Sequence, residues 1–299
     1  MEQLSARINS LASSATIAMN QKGREMKEKG VDVINLSVGE PDFLTPEHIR
    51  EAAKKAIDGS WHHYAPVAGY PDLLKAIVDK LKRENKLDYE TSNVMVSVGA
   101  KHALANVMMC LIDKGEEVIV PAPYWVSYAE QVKIAEGVNV IVNTSVEDEF
   151  KMSAAQFEAA ITPKTKALLL CSPSNPTGAV YTREELKALA DVLVKHPNIY
   201  VIADEIYEHI NFVGGHESIA QFDEIKDRCV IINGVSKGYA MTGWRIGYMA
   251  GPAWVVKACS KLQGQMTSGA CSISMRASLE ALTGDQTCVT EMRDAFLRR

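Results

Sequence analysis

The chain has 299 residues, of which 47% are hydrophobic and 23% are charged, close to the averages of globular proteins. This composition excludes a disordered chain, a collagen-like repeat and a coiled coil. The formal net charge is −5, from 32 Lys and Arg against 37 Asp and Glu, and the basic residues are scattered along the chain. A nucleic acid is therefore not expected as a partner.

Short apolar runs predict β-strands separated by amphipathic helices. In chain order the strands are expected at 33–36, 94–98, 118–120, 138–142, 167–171, 200–203, 229–232 and 246–250. Most of these runs are apolar at consecutive positions, as in strands that are covered on both faces. The sequence therefore predicts an α/β fold, with a mostly parallel sheet flanked by helices.

Helix ends are predicted from capping residues. Thr45 is expected to cap, and Pro46 to open, one helix. Thr182 and Glu185 form a capping box at the start of another, and a final helix is expected over 287–299. The apolar faces of the first helix and of a helix after the second strand comprise Ile49, Ala52, Ala53, Ala56, Ile57, Leu104, Val107, Met108 and Leu111.

The cysteines and the N-terminus bear on the cellular compartment. None of the six cysteines forms a C-x-x-C pair, and five lie in apolar or helical runs, so buried free thiols in a reducing cytoplasm are expected. Residues 1–20 lack the basic start and apolar core of an export signal. No apolar run is long enough to cross a bilayer, so no membrane anchor is expected.

Ligands of such sheets bind beyond the carboxyl ends of the strands, so the strand-to-helix junctions are where chemistry is expected. After the strand at 94–98 come Gly99, Ala100 and Lys101, where small residues and a helix N-terminus could bind a phosphate. The alternative is a turn that binds nothing. A nucleotide P-loop is excluded, because the glycines that it needs at positions 94 and 100 are absent.

Two further junctions carry polar side chains. Asn175, in the segment 172–178, could direct an amide donor at a ligand oxygen, or the segment could be a plain turn. Asp204 and Tyr207 follow the apolar strand at 200–203, where a buried acid costs stability unless it is paired. Asp204 could cap a helix instead, but a cationic partner is the stronger expectation.

The fourth junction contains a lysine and an arginine. Lys237 comes directly after a buried strand and a glycine-containing turn, where a desolvated amine could form an imine, and Arg245 follows it on the same segment. A solvated lysine is the alternative for this junction taken alone. Together, the four junctions match the needs of pyridoxal phosphate, which are partners for a phosphate, a ring oxygen, a ring nitrogen and an aldehyde.

Three of these segments resemble a known family. Ser-Pro-Ser-Asn-Pro-Thr-Gly at 172–178, Asp-Glu-Ile-Tyr at 204–207 and Ser-Lys…Met-Thr-Gly-Trp-Arg-Ile-Gly-Tyr at 236–248 resemble the class I aminotransferases of fold type I, nearest the bacterial aspartate aminotransferases. The similarity runs from residue 4 to the last residue. It implies a pyridoxal-phosphate-dependent exchange of an amino group between an amino acid and a 2-oxo acid, in amino acid metabolism and biosynthesis.

The resemblance assigns roles to matching residues. Lys237, Asp204 and Tyr207 would be catalytic: Lys237 would bind the cofactor covalently and move the α-proton of the substrate, and Asp204 would pair with the ring nitrogen. Tyr207 and Asn175 would donate to the ring oxygen, and Trp125 would stack on the ring. Trp125 and Asn175 would also contact the substrate.

The same resemblance implies a homodimer with shared sites. The cofactor phosphate would be bound by Gly99, Ala100, Lys101 and Arg245, with Tyr64 reaching in from the second subunit. Gly39 would border the substrate carboxylate. No metal ion is expected.

The resemblance also bears on the choice of substrate. Lys101 would bind the distal carboxylate of an acidic substrate, aided by the hydroxyls of Ser14 and Thr16, so aspartate and glutamate are the expected donors. Relatives that accept prephenate carry a lysine where this chain has Ala12, so weak prephenate activity is expected.

By resemblance, residues 1–44 belong to a small domain, 45–285 form a large pyridoxal-phosphate-binding domain, and 286–299 begin the C-terminal part of the small domain. In the family a further segment carries the arginine for the substrate α-carboxylate, so this chain is expected to be a fragment of reduced activity. The alternatives are a lyase or decarboxylase, an aminotransferase for aromatic or branched substrates, a catalytically inactive binding protein and an inert fragment.

Overall fold

The computed structural model describes residues 4–13, 15–37 and 39–299. In these residues the α-helices are α1 Ala6–Asn9, α2 Ala15–Glu28, α3 Glu47–Asp58, α4 Pro71–Asn85, α5 Ala100–Leu111, α6 Ser127–Ile134, α7 Ala154–Ala160, α8 Arg183–Lys195, α9 Asp223–Lys226, α10 Ala253–Met266, α11 Ser272–Thr283 and α12 Thr287–Arg298. Short 3₁₀ helices occupy Thr91–Asn93, Ile219–Gln221 and Thr242–Trp244. The β-strands are β1 Val94–Ser97, β2 Glu117–Ala122, β3 Val138–Asn143, β4 Thr165–Cys171, β5 Tyr200–Asp204, β6 Cys229–Gly234 and β7 Gly247–Ala250.

The strands form one seven-stranded sheet in the order β1-β7-β6-β5-β4-β2-β3. The pairs β2–β3, β2–β4, β4–β5 and β5–β6 are parallel, whereas β7 is antiparallel to β1 and β6. The predicted α/β fold with a mostly parallel sheet is confirmed. Because β1 and β6 both oppose β7, the carboxyl ends of β1, β2, β4, β5 and β6 lie at one edge of the sheet.

Both faces of the sheet are covered by helices. Successive side chains of a strand point to opposite faces, so Leu168 and Leu170 of β4 enter one core while Ala167 and Leu169 enter the other. Helices α3, α4, α8 and α11 line the first core, and α5, α6 and α10 line the second. Burial on both faces is the reason why the strand sequences are apolar at consecutive positions.

Most of the predicted helix signals are confirmed. At the start of α8, the Thr182 hydroxyl accepts a hydrogen bond from the Glu185 backbone N–H at 3.2 Å, and the Glu185 carboxylate accepts one from the Thr182 N–H at 2.7 Å. The helix expected over 287–299 is α12. The predicted apolar face of α5 is buried, at Leu104, Val107, Met108 and Leu111.

Three local predictions were wrong. Residues 33–36 form no strand and pair with no strand of the described sheet, and Leu36 is 90% exposed. Thr45 does not cap α3, because its hydroxyl donates to the Ala240 carbonyl at 2.7 Å and accepts from the Trp244 indole N–H at 3.0 Å. Ile57, assigned to the apolar face of α3, is exposed because the face that packs ends at Ala56.

The cysteines are unpaired, but the expectation of five buried thiols was wrong. Cys229 and Cys259 are buried and Cys271 is exposed, while the other three are partly exposed. No helix in the described part of the chain is both long and apolar enough to cross a membrane.

Candidate active site

The four predicted junctions meet in one cleft of about 540 Å³ at the carboxyl edge of the sheet. The loops after β1, β2, β4, β5 and β6 form its walls, and the N-terminal segment contributes one side. The lining residues are Thr16, Leu36, Ser37, Gly39, Ala100, Lys101, Tyr124, Trp125, Val126, Tyr128, Asn175, Pro176, Asp204, Ile206, Tyr207, Ser236, Lys237, Thr242 and Arg245.

One end of the cleft has the features of an anion-binding site. Gly99 precedes α5 with φ of 81°, and a Cβ placed on it would lie 2.3 Å from Nη2 of Arg245. Strand β7 passes so close that a Cβ on Gly247 would lie 2.2 Å from the backbone nitrogen of Ala100. The Arg245 Nη1 donates to the Thr242 carbonyl at 2.8 Å, which orients the guanidinium. A guanidinium beside the free N–H groups of a helix start suits a phosphate.

The amine of Lys237 lies inside the cleft, three residues after β6 ends. Its Nζ donates to the Gly39 carbonyl and lies 5.4 Å from the centre of the Tyr207 ring. Burial lowers the pKa of the Lys237 amine, and Arg245 lowers it further, although Glu40 acts in the opposite direction. A lowered pKa raises the share of neutral, nucleophilic amine at neutral pH.

Asp204 is the last residue of β5 and is buried. Its carboxylate accepts hydrogen bonds from the Tyr128 hydroxyl at 2.6 Å and from the Ile206 N–H at 3.2 Å. Burial nevertheless raises the pKa of Asp204 to about 6. Lys237 also lowers this pKa, but by less than the two hydrogen bonds do. A buried acid of this kind can pair with a cationic group of a ligand.

Two aromatic rings define the middle of the cleft. The Asn175 amide donates to the Tyr207 hydroxyl at 3.4 Å, so both groups point at one region. The Lys101 amine lies 4.7 Å from the centre of the Trp125 ring, and the Trp125 ring meets Tyr128 edge to face with the ring centres 5.4 Å apart. Burial lowers the pKa of the Lys101 amine, and the positive charge of Arg245 lowers it further by a smaller amount.

Most of the residues proposed from sequence line this cleft. Gly99 does not line it, but the Arg245 guanidinium lies against Gly99. Tyr64 does not line the cleft and is 98% exposed. Ser14 lies outside the described residues.

Sequence reasoning missed Tyr128, Ser236 and Thr242. Tyr128 stands three residues after Trp125 at the start of α6, and this spacing was the one signal that could have indicated it.

The groups in the cleft fit pyridoxal phosphate on chemical grounds. Gly99 and Arg245 provide an anion site that leaves no room for a larger residue at position 99. The Lys237 amine, the buried Asp204 and the paired Asn175 and Tyr207 can meet an aldehyde, a protonated ring nitrogen and a ring oxygen.

Comparisons with known proteins agree with this chemistry. A family model described as "Aminotransferase class I and II" matches residues 31–299. The chain is 50% identical over 286 residues to a probable aspartate/prephenate aminotransferase of Rhizobium leguminosarum bv. phaseoli, across 95% of this chain and 71% of that protein. It is 49% identical over 299 residues to an aspartate aminotransferase of Geobacillus stearothermophilus, across 99% of this chain and 76% of that protein.

Solved structures share the whole described fold. An aspartate aminotransferase from Rhizobium meliloti gives a TM-score of 0.96 at 43% identity, across 100% of this chain and 75% of that one. The Thermus thermophilus aspartate aminotransferase with maleate gives 0.96 at 44% identity, across 100% of this chain and 78% of that one. The chain therefore belongs to the class I and II aminotransferases, enzymes that use pyridoxal phosphate to exchange an amino group between an amino acid and a 2-oxo acid.

Proposed function

We propose that this aminotransferase uses aspartate and glutamate as its amino donors. The observation that carries the proposal is the Lys101 amine, which lies in the same cleft as Lys237 and contacts the face of Trp125. An acidic substrate brings a second carboxylate, which needs a cation away from the reacting amine. The relatives named as aspartate aminotransferases, and the Thermus structure with the dicarboxylate maleate, support this choice.

The cofactor, when bound, supplies an aldehyde and a ring that accepts electrons. In the proposed assignment Lys237 would hold the cofactor covalently, and the Lys237 amine would take the proton of the substrate α-carbon and give it back to the ligand. Asp204 would keep the ring nitrogen protonated, while Asn175 and Tyr207 would donate to the ring oxygen. Trp125 would stack on the ring.

The other proposed contacts hold the two ends of the ligands. Arg245, Gly99 and Ala100, with Lys101 nearby, bind the phosphate at the start of α5, where the N–H groups are free. Gly39, whose carbonyl already accepts from Lys237, borders the substrate carboxylate. Thr16 lines the cleft on the side of the N-terminal segment, which supports its proposed part in binding the distal carboxylate, a part also proposed for Ser14.

Weak activity on prephenate is part of the proposal. The backbone N–H of Ala12 donates to the Glu130 carboxylate at 2.8 Å, which holds residue 12 against helix α6 near the cleft. The methyl side chain of Ala12 offers no cation for a further carboxylate.

The assembly is proposed to be a homodimer in which Tyr64 completes the phosphate site of the partner. Its 98% exposure in one chain supports this role, because a tyrosine is rarely left so open.

The proposed domain division is supported by the packing of Phe43 on Phe296, with ring centres 5.3 Å apart, which joins 1–44 to 286–299. A cytoplasmic location remains a proposal that rests on the unpaired cysteines.

The proposal is tested by spectroscopy and by substrate comparison. Pyridoxal phosphate should give an absorbance band that borohydride removes, with the label on Lys237, and aspartate should discharge that band. Lys237→Ala should lose the band, whereas Lys257→Ala, at an exposed position on α10, should keep it.

The choice of substrate is tested with Lys101→Ser. This variant should slow the loss of the band on adding aspartate far more than its loss on adding an apolar amino acid. Equal slowing for both amino acids would contradict the acidic substrate, and a label on Lys101 or Lys257 would contradict the site.

A further inference from the structure

A buried polar cluster lies outside the cleft and contributes no residue to its lining. We call it the Lys80 cluster; it consists of Lys80, Glu84 and Asn85 of α4 with Glu208 and His209 of the loop after β5. Lys80 is 0% exposed, and a lysine is almost never buried so completely unless it is paired.

Every polar atom at the centre of the Lys80 cluster has a partner. The Lys80 amine donates to the Glu208 carboxylate and to the Asn85 side-chain oxygen, the latter at 2.8 Å. The Asn85 amide donates to the other oxygen of Glu208 at 2.7 Å. Burial alone would raise the pKa of Glu208, but the charge of Lys80 reverses this effect and the pKa is lowered. The centre of the cluster is therefore a charged pair with a bridging amide.

The loop half of the Lys80 cluster is joined to Tyr207. Glu208 is the next residue in the chain, and the turn around it is closed by hydrogen bonds from the Glu208 N–H to the Glu205 carbonyl at 3.0 Å and from the Ile210 N–H to the Tyr207 carbonyl at 2.8 Å. Anchoring the Glu208 side chain on α4 therefore limits where the Tyr207 ring can stand.

The cluster also reaches the residue after Lys237. His209 Nε2 lies 3.1 Å from the Glu84 carboxylate, and the His209 ring packs on Gly238 so closely that a Cβ there would lie 2.4 Å from Nδ1. The Tyr239 ring meets the same imidazole edge to face at 5.6 Å. Residues 208 and 238, which directly follow Tyr207 and Lys237, are thus held by one set of contacts.

Stability alone is a weak reason for such a cluster, because apolar side chains of similar volume often replace a buried ion pair without loss. We infer that the Lys80 cluster positions Tyr207 and Lys237 by anchoring the residue that follows each of them. This inference rests on the proposed function, since it assigns the cluster a task in the proposed site. Glu208, Lys80, Glu84 and His209 are positioning residues in this sense and touch no substrate.

The test uses two kinds of variant. The double variant Lys80→Met/Glu208→Gln removes the two charges of the buried pair together. The variant Glu84→Ala removes the nearer carboxylate partner of His209, which also lies 3.5 Å from the Lys80 amine, at the partly exposed rim of the cluster. The matched control is Lys75→Met/Asp79→Asn, which breaks an exposed ion pair of 2.7 Å on the same helix.

Four measurements are made on each protein. The thermal midpoint reports folding, and a pH titration of the pyridoxal phosphate absorbance band reports the environment of Lys237. Steady-state kinetics with aspartate give kcat and KM, and the reactivity of Lys237 toward an amine reagent is followed by peptide mass spectrometry without cofactor. In both test variants the apparent pKa of the band should shift by roughly half a unit or more. Their kcat should fall roughly 10-fold or more with KM little changed, because small displacements of catalytic groups are costly. The control should match the parent protein.

The outcomes separate the two proposals. Test variants that keep the parental band pKa and amine reactivity would overturn the inference, whatever their thermal midpoint. If the double variant does not fold, Glu84→Ala decides the question on its own. Failure of the unmodified protein to form the band would contradict the proposed function instead.

Discussion

The hydroxyl of Tyr128 donates a 2.6 Å hydrogen bond to Oδ2 of Asp204, and both residues are buried. Tyr128 comes from α6 and Asp204 from the end of β5, so the bond joins two walls of the cleft. This bond lowers the pKa of Asp204, which burial has raised to about 6. The tyrosine therefore favours the charged form of the carboxylate, which is the form that can pair with a cationic ring.

Tyr128→Phe should weaken pyridoxal phosphate binding, because the pKa of Asp204 rises further when the donor is lost. At pH 7 we expect a decrease in affinity of roughly 10-fold, as for one hydrogen bond to a charged group. The measurement is an absorbance titration with the cofactor at several pH values, in which the variant should lose affinity at higher pH than the parent. Tyr89→Phe, which removes a buried hydroxyl without a partner in the described structure, serves as the control. An unchanged pH profile for Tyr128→Phe would contradict the role of the bond.

Asp204→Asn should stabilise the cofactor-free protein at neutral pH. The pKa of Asp204 is raised from 3.8 to about 6, so the folded chain binds more protons than the unfolded chain between these values. The free energy of unfolding contributed by this group is greatest below the unfolded pKa and is lost as pH rises to about 6. The neutral amide should therefore increase the free energy of unfolding at pH 7 by up to about 3 kcal/mol.

Urea unfolding at pH 4 and pH 7 measures this effect. The stability difference between Asp204→Asn and the parent should grow between the two pH values, while Asp58→Asn, at an exposed position on α3, should show no such growth. A constant difference would mean that Asp204 is not the group that titrates. The same variant should bind pyridoxal phosphate more weakly, because the ring nitrogen loses its ionic partner.

Gly247→Ala should damage the anion end of the cleft. The new Cβ would lie 2.2 Å from the Ala100 nitrogen and 2.4 Å from the Gly99 carbonyl carbon, and these are backbone atoms that cannot turn away. We expect a loss of about 1–3 kcal/mol in unfolding free energy and weaker binding of inorganic phosphate, measured by urea unfolding and by calorimetry. Gly243→Ala is the control, since nothing lies within 4 Å of the position that its new Cβ would take. Parental phosphate affinity in Gly247→Ala would place the anion elsewhere.

Tyr64 should act across the interface of a dimer. Sedimentation should show a dimer, and Tyr64→Phe should weaken cofactor binding by roughly 10-fold, despite the exposure of this side chain in one chain.

Mixing the Tyr64→Phe and Lys237→Ala proteins tests this arrangement further. A hybrid dimer then contains one site with both an intact lysine and an intact tyrosine. Recovery of the parental band after subunit exchange is expected. No recovery, or a monomer that forms the parental band, would show that Tyr64 does not reach a second chain.

The sequence by itself was sufficient to predict the seven strands of the sheet, the capping box of Thr182 and the convergence of the four junctions. These features depend on signals within a few residues of each other, and on the rule that parallel strands end at one edge of a sheet. The same local reading was wrong for 33–36, because an apolar run looks alike whether or not a neighbouring strand pairs with it. It was wrong for Thr45, because the hydroxyl bonds to Ala240, 195 positions away in the chain.

Only the tertiary structure decided what surrounds the candidate residues. The sequence identified Asp204 and Lys237 as candidate site residues. The hydrogen bond from Tyr128 to Asp204, however, joins residues 76 positions apart, and the ion pair of Lys80 with Glu208 joins residues 128 positions apart. No local pattern encodes contacts at such separations, because they arise when α4 and α6 pack against the sheet. The burial that sets the pKa of Asp204 and lowers that of Lys237 has the same origin, since it is a property of the packed fold and not of the residue types.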